Sequence, residues 1–477
     1  MNFIVVMNDT LRADHLGCYG NEWIHTPNFD RLAAEGAVFE RAYAASFPTI
    51  PNRTDLLTGR YGEPLHPWLP LAWDAVTLPE ALAEAGYVTQ LINDTPHLIN
   101  AGHGFDRPFH AWVMIRGNEV DRFRLDTKPL DLPTKNVAKI KPRPTNLTLA
   151  QYLRNVRERR NEEDYFPAQT IKAAIRWLED NRDRERFLLW IDCFDPHEPW
   201  DPPQHYVDLY DPGYRGEVII MFPRSLEVLT PAERRHICAL YAGEVSLVDR
   251  WLGELLDAVD RLGLRENTAI IATSDHGTYL GEHGQIMTKS TPLYEPVARI
   301  PLIIRLPDGT AAGRRFSALA QPPDLMPTLL ELAGVPVPEC VQGRSLVPVL
   351  RGETEELREF AFSGGAPNAQ RETACITVHD GRWAMHVFPQ RERWELYDLR
   401  RDREQRKNVV AQHPRVAQRL HAAVVRFLRE HEAQPQVVRW FETGDKGDMT
   451  GYRFCDPYLE KFWFYWQKIA RTDLVPE

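Results

Sequence analysis

The strongest constraint on what this chain can fold into is a series of short apolar runs, each followed by a polar loop and then by a helical pattern. Candidate strands are residues 3–7, 88–92, 187–192, 269–273 and 302–304. Between them the spacing predicts helices over 27–35, 78–85 and 168–181. The clearest helix start is Thr230-Pro231-Ala232-Glu233, a capping box with proline at the first helical position, running on to about Leu262. Strands that alternate with helices predict an α/β fold, with a mostly parallel central sheet flanked by helices. Such a sheet places ligands beyond the carboxyl ends of its strands. Asp9, residues 192–197 and the pair Asp275-His276 lie at or just after these runs, so they are expected to converge there.

A chain of 477 residues exceeds one small domain. The expected division is a catalytic domain over 1–364, a smaller C-terminal α+β subdomain over 365–430 and an aromatic-rich tail over 431–477. Residues 107–164 are polar, rich in Pro, Lys and Arg, and weakly periodic, which predicts an insertion near the mouth of the site. The tail, with Trp440, Phe441, Phe462, Trp463 and Trp466 among its aromatics, has the composition of an interface and hints at a homo-oligomer. A net charge of −10 argues against a non-specific nucleic-acid binder. Six scattered cysteines without a CxxC pair predict reduced, mostly buried thiols. No apolar run approaches membrane-spanning length, and no basic region or cleavage site precedes the first strand. The simplest expectation is a cytoplasmic protein acting on a small molecule.

The loops after the strands carry the distinctive residues. Ser46-Phe47-Pro48-Thr49-Ile50-Pro51-Asn52-Arg53, continuing to Leu56-Leu57-Thr58-Gly59-Arg60, resembles the signature of the sulfatase family, Cys-x-Pro-x-Arg followed by Leu-Leu-Thr-Gly-Arg. Around it stand Asn8-Asp9 ahead of Leu16-Gly17-Cys18-Tyr19-Gly20, then Pro196-His197-Glu198-Pro199-Trp200. Asp275-His276-Gly277 follows, with Gly281-Glu282-His283-Gly284 behind it. The segment 394–399 resembles the small C-terminal subdomain of that family. The resemblance covers roughly residues 2–110 and 165–410, and it implies an alkaline-phosphatase-like fold and a metal-dependent ester hydrolase.

Residue by residue, the resemblance implies Asp9, Asp275 and His276 as ligands of one divalent metal ion, with Thr49 as the metal-activated nucleophile. Asn8 stands where the first of the family's paired Asp residues would be, and its amide oxygen is a further candidate ligand. Imidazole at His276, where many calcium sulfatases carry Asn, favours Mn²⁺ or Zn²⁺, with Ca²⁺ the alternative. Arg53 is implied as the brace of the nucleophile, and Lys289 as a cation acting on the transferred group in place of a second ion. His197 is implied at the transferred group or the leaving oxygen, and either His283 or His197 as the proton donor to the leaving group.

Three departures matter. The family's cysteine, or less often serine, is oxidised to formylglycine, and Thr49 cannot be. Asn93-Asp94-Thr95-Pro96-His97 follows a strand where sulfatases carry Gly-Lys-Trp-His; the basic residue is absent, Asp94 stands in its neighbourhood, and His97 is the match to the family histidine. Residues 112–119, ending in Ile115-Arg116-Gly117-Asn118-Glu119, resemble a segment of some bacterial sulfatases and phosphonate monoester hydrolases, and are expected to act as substrate-side scaffold. A threonine hydroxyl suits phosphorus esters, because water attacking phosphorus releases a phospho-threonine. A sulfo-threonine lacks the second hydroxyl through which formylglycine expels sulfate. The reading favoured is therefore a phosphodiester or phosphonate monoester hydrolase. A sulfatase working without formylglycine comes next, and a non-catalytic binding protein third.

Overall fold

In the computed structural model, which describes residues 1–62, 64–99, 102–126, 128–141, 145–365 and 374–448, the apolar runs form the middle of one mixed sheet. Its strands are β1 (Asn2–Asn8), β2 (Ala37–Tyr43), β3 (Val88–Asn93), β4 (Ala111–Met114), β5 (Phe187–Cys193) and β6 (Thr268–Ser274), joined by Leu302–Arg305 and Arg315–Ala320. Across the sheet the order is Arg315–Ala320, β2, Leu302–Arg305, β6, β1, β5, β3, β4, with Arg299–Ile300 also paired to β2. The run from β6 to β4 is parallel. Leu302–Arg305 is antiparallel to both its neighbours.

Every residue of β1, β5 and β6 is buried, as expected for parallel strands covered on both faces. In β1, Ile4 and Val6 pack on one side with Ile237, Leu252 and Ile171, while Phe3, Val5 and Met7 face Leu78, Leu82 and Leu329 on the other. The long helix Pro231–Arg261 starts at the expected box: Thr230 Oγ1 accepts the Glu233 N–H at 3.2 Å, and Glu233 Oε2 accepts the Thr230 N–H at 2.7 Å. Helix α1 occupies Pro27–Glu35, and the helix expected from residue 168 begins earlier, spanning Phe166–Asn181.

The stretch expected as an irregular insertion contains more order than its weak periodicity suggested. It opens with edge strand β4 and includes the helix Thr145–Val156. Side-chain anchors replace periodicity there: the Asn155 amide donates to the carbonyls of Gly117 at 2.9 Å and Asp121 at 2.7 Å.

After the large sheet the chain builds a second, wholly antiparallel sheet in the order Ala361–Ser363, Ile376–His379, Trp383–Val387, Glu395–Asp398. Leu420, Val424 and Phe427 of helix Pro414–Glu430 share its core with Ile376, Val378 and Met385. Helix Pro435–Thr443 adds Trp440 and Phe441 to that core; the remaining tail aromatics lie outside the described residues. The architecture is thus the expected α/β body with a smaller C-terminal α+β subdomain. Among the described residues the cysteines are free, and no helix is long and apolar enough to cross a membrane.

Candidate active site and metal centre

The ends of β1, β5 and β6 meet helix α2 (Thr49–Thr58), whose first residue is Thr49. That end of the helix is tied down before the hydroxyl is presented. Asp55, six residues further on, accepts the Ser46 N–H and the Ser46 hydroxyl, each at 2.6 Å. Asn52 donates to the Asp275 carbonyl at 3.0 Å. Gly59 ends the helix at φ 65°, a left-handed cap that also leaves room for Val341, whose Cγ1 would lie 2.9 Å from an added Cβ. Thr49 itself is buried, and the open first turn of the helix favours negative charge beside it.

Arg53, one turn after Thr49, sits where three strand ends converge. Its Nη1 donates to Asp9 Oδ2 at 2.9 Å and to Asp275 Oδ2 at 2.5 Å, while Nη2 and Nε fork onto Asp192 at 2.8 and 3.1 Å. It also reaches the Thr49 carbonyl at 3.4 Å. Asp192 accepts the Thr95 hydroxyl at 2.6 Å. Burial alone would drive Asp9 towards its neutral form, but Arg53, His197 and Lys289 outweigh that and hold its carboxyl well below the usual range. Burial, reinforced by Asp9, pushes Asp275 up to about 8. Two carboxylates this close repel each other, which favours a proton or a cation between them.

The donor set fits such a cation. Ligand atoms of Asp9, Asp275 and His276 all lie within 4.8 Å of one another. His276 Nδ1–H donates to the Gly277 carbonyl at 3.0 Å, so Nε2 carries the lone pair. That Nε2 is buried, has no hydrogen-bond partner and stands 3.4 Å from Asp275 Oδ2. A mixed nitrogen and oxygen set of this kind suits a divalent ion. The Asn8 amide donates to the Asp195 carbonyl at 3.3 Å, which leaves its buried Oδ1 without a partner.

His197 and Lys289 join this centre. Lys289 Nζ donates to the Thr10 hydroxyl at 3.3 Å, and its charge is felt at Asp9, His197 and His276. His197 Nδ1–H donates to the Glu198 carbonyl at 2.6 Å, which leaves Nε2 as the proton-accepting atom. Burial pushes this imidazole down to about 4, so it is neutral at ordinary pH. His283 is placed elsewhere: it stacks on Tyr294 at 3.5 Å, on the side of the C-terminal sheet, where Glu395 is its neighbour. Asp94 is buried, accepts the Phe194 N–H at 2.7 Å and is pushed by burial up to about 7. The segment ending at Glu119 clamps this loop, with Asn118 donating to Asp94 at 3.5 Å and Glu119 2.9 Å from His97 Nε2.

Two contributors carry no signal in the sequence. Thr10 holds φ 65°, an uncommon conformation for a β-branched residue, and there its N–H reaches Asp275 at 3.0 Å while its hydroxyl donates to Asp9 at 2.7 Å. Asp55 acts on Ser46 across nine residues, a spacing that no periodicity announces. A separate cavity of about 640 Å³, lined by Leu71, Trp73, Asp106 and Arg107, contains none of these groups.

The model of the Sulfatase family matches residues 1–335, and that of the C-terminal region of N-sulphoglucosamine sulphohydrolase matches residues 281–432. N-acetylglucosamine-6-O-sulfatase of Bacteroides thetaiotaomicron is 27% identical over 468 residues, covering 86% of this chain and 82% of the relative. Arylsulfatase of Clostridium perfringens is 26% identical over 442 residues, covering 86% and 90%. In fold, the chain is similar to the phosphonate monoester hydrolase of Agrobacterium radiobacter, with a TM-score of 0.72 and 22% identity over 90% of this chain and 96% of that one.

Proposed function

The chain belongs to the sulfatase family, and within these metal-dependent ester hydrolases we propose that it cleaves phosphoric or phosphonic esters, a phosphodiester or phosphonate monoester, with Thr49 as nucleophile. The observation that carries this reading is a threonine, which cannot be oxidised to formylglycine, at the head of helix α2, with Arg53 reaching its carbonyl beside Asp9, Asp275 and His276. A divalent ion held by Asp9, Asp275 and His276, Mn²⁺ or Zn²⁺ ahead of Ca²⁺, would supply Lewis acidity that makes the hydroxyl a better nucleophile. Thr49 Oγ1 forms a bond to phosphorus as the bond to the leaving oxygen breaks, giving a phospho-threonine. Water then attacks phosphorus, restores the hydroxyl and releases the acid.

The other side chains follow from position. Lys289 and the first turn of helix α2 offset charge on the non-bridging oxygens. Arg53 acts as a positioning residue, holding Asp9, Asp192 and Asp275 together under the nucleophile. His197 serves the leaving-group side. Neutral at rest, its Nε2 takes up through solvent the proton that Thr49 gives up and delivers it to the departing oxygen; in the second step it takes one from the attacking water and returns it to Thr49 Oγ1. Proton donation goes to His197 rather than His283 because His197 feels the charges of Asp9 and Lys289, whereas His283 stacks on Tyr294.

The test is steady-state hydrolysis of aryl phosphodiester, phosphonate monoester, phosphomonoester and sulfate ester by metal-stripped protein reloaded with Mn²⁺, Zn²⁺ or Ca²⁺. Metal-dependent turnover of a phosphorus ester, lost in Thr49→Ala, is the expected result. The second reading, sulfate ester hydrolysis by direct attack of water, is favoured by the relatives named as sulfatases. Sulfate turnover that survives Thr49→Ala would establish that reading instead.

A further inference from the structure

The turn that carries β1 into the site holds a side chain that the proposed reaction leaves unused. Thr10 is fully buried at φ 65°, a region that a β-branched residue rarely enters. Contacts on three sides hold the turn there. The Asp9 N–H donates to the Cys193 carbonyl on β5 at 2.9 Å, and the Leu11 N–H donates to Ser274 Oγ on β6 at 3.0 Å. The Tyr241 hydroxyl donates to the Thr10 carbonyl at 2.9 Å and accepts the Arg12 N–H at 2.9 Å. A glycine would occupy that backbone at less cost, and what a glycine lacks is the hydroxyl.

That hydroxyl can direct its hydrogen one way only. A carboxylate accepts and an ammonium donates, so Thr10 Oγ1 gives its hydrogen to Asp9 Oδ1 at 2.7 Å and receives one from Lys289 Nζ at 3.3 Å. The backbone N–H of the same residue donates to Asp275 Oδ1 at 3.0 Å. Arg53 Nη1 holds the other oxygen of each acid, Oδ2 of Asp9 and Oδ2 of Asp275. The two acids are therefore gripped from both ends, by Arg53 at Oδ2 and by Thr10 at Oδ1. The Thr10 hydroxyl also ties Lys289 into this clamp.

We propose that Thr10 is a positioning residue of the metal centre: its hydroxyl fixes the Asp9 carboxylate relative to Asp275 and holds Lys289 beside them. Hydrogen bonds of this kind to a ligating carboxylate orient it and tune its hold on the ion. The metal arm of the inference needs no ester of either kind. The Lys289 arm rests on the phosphorus-ester reading, in which that ammonium acts on the transferred group. Thr10→Val separates the hydroxyl from the backbone, because valine keeps the branching and shape of threonine and the three backbone contacts do not involve the side chain.

The experiment is calorimetric titration of metal-stripped wild type, Thr10→Ser and Thr10→Val with Mn²⁺, Zn²⁺ and Ca²⁺. Thr10→Val is expected to weaken binding of the preferred ion about tenfold to a hundredfold, and Thr10→Ser, which keeps the hydroxyl, to stay within about threefold of wild type. Thr10→Ala takes the place of Thr10→Val should the latter fold poorly. Wild-type affinity in the valine variant, equal weakening in the serine and valine variants, or no binding of any of the three ions by wild type overturns the inference. A fall in the urea midpoint alone, with metal affinity unchanged, marks Thr10 as an ordinary buried hydroxyl and overturns it too. The Lys289 arm is read by titrating the proteins with inorganic phosphate at saturating Mn²⁺, in a cycle with Lys289→Met. Thr10→Val should loosen phosphate about threefold to tenfold where Lys289 is present and leave it unchanged where Lys289 is replaced. Equal effects in both backgrounds overturn that arm. Hydroxyl-dependent metal affinity in a protein that turns over no phosphorus ester leaves the clamp standing and removes the ester reading. Phosphorus-ester turnover with metal affinity indifferent to the hydroxyl does the reverse.

Discussion

The carboxyl edge of the large sheet and the core of the small antiparallel sheet are buried to the same depth, yet they bury opposite kinds of group. The edge encloses Asp9, Asp55, Asp94, Asp192 and Asp275, all at 0% exposure, with the Arg53 guanidinium among three of them. The small sheet encloses His379 and His386, also at 0%, which burial keeps neutral. His379 lies flat on Tyr43 at 3.9 Å with neither ring nitrogen hydrogen-bonded. One region thus keeps ionisable acids in the dry interior, with the Arg53 guanidinium tying three of them together and Lys289 acting on Asp9 beside it. The other treats its polar side chains as packing. Charge is retained where it can act on a substrate and suppressed where only shape is needed.

That contrast can be broken most forcefully at the nucleophile. Thr49→Ala is expected to lower kcat/KM on a phosphorus ester by about a thousandfold or more while leaving the urea midpoint nearly unchanged. A variant that stays active would show that the edge does its chemistry without this hydroxyl. Arg53→Met should come next, destabilising the protein by about 3–5 kcal/mol because three buried carboxylates lose their partner. The matching change in the small sheet, Arg382→Met, removes a surface guanidinium from its pair with Asp398 at 2.8 Å and is expected to shift the urea midpoint only slightly. If the two variants unfold alike, the edge is not held by its cation.

Leu420→Ala tests the small sheet as a packing element. Leu420 is fully buried on helix Pro414–Glu430, and its truncation should cost about 2–5 kcal/mol. Turnover per folded molecule should not change; a fall in kcat would couple this core to the catalytic edge. The smallest effect expected is a difference in pH response. The His379 imidazole is pushed by burial down to about 3, from an ordinary value of 6.5. The unfolded chain therefore binds a proton below about 6.5 that the folded chain refuses until about 3, and stability falls as pH drops through that window. Between pH 7 and 5 the loss is about 2 kcal/mol, and His379→Phe should remove it from the denaturation curve. Asp94, pushed up to about 7 from 3.8, has the opposite sign: its contribution is present at low pH and is lost as pH rises through that interval. Asp94→Asn should therefore lessen the loss of stability on raising pH, where His379→Phe lessens the loss on lowering it. Identical pH curves for the two variants would erase the distinction between the regions.

The large sheet was readable because parallel strands buried on both faces are written as apolar runs. Residues 3–7, 88–92, 187–192, 269–273 and 302–304 all fall within observed strands, which extend them by a residue at one or both ends. Ile376–His379 and Trp383–Val387 were not readable in the same way. His379, Thr377 and His386 interrupt their hydrophobic pattern, and those residues are buried by tertiary partners: Thr377 bonds His386 at 2.9 Å, and Tyr43 covers His379. The helix Thr145–Val156 escaped notice because Asn155 anchors it through backbone carbonyls that lie more than thirty residues upstream.

The same division runs through the site. Asp9, Thr49, Arg53, His197, Asp275, His276 and Lys289 could be named from motifs, and the fold brings them to one edge. His283 belongs to the same motif as its neighbours, yet its backbone at φ 52° sends the ring onto Tyr294. What the sequence determined by itself is the chemistry available at each strand end: a hydroxyl that cannot become an aldehyde, an imidazole beside a carboxylate, and an acid in a loop from which the family's basic residue is missing. Those are properties of single side chains and need no neighbours. Only the tertiary structure decided which carboxylate shares Arg53, which nitrogen of His276 is left bare and which oxygen of Asp195 has no donor. Burial and the exact placement of partners set those outcomes, and both arise only when strands far apart in the chain are packed side by side.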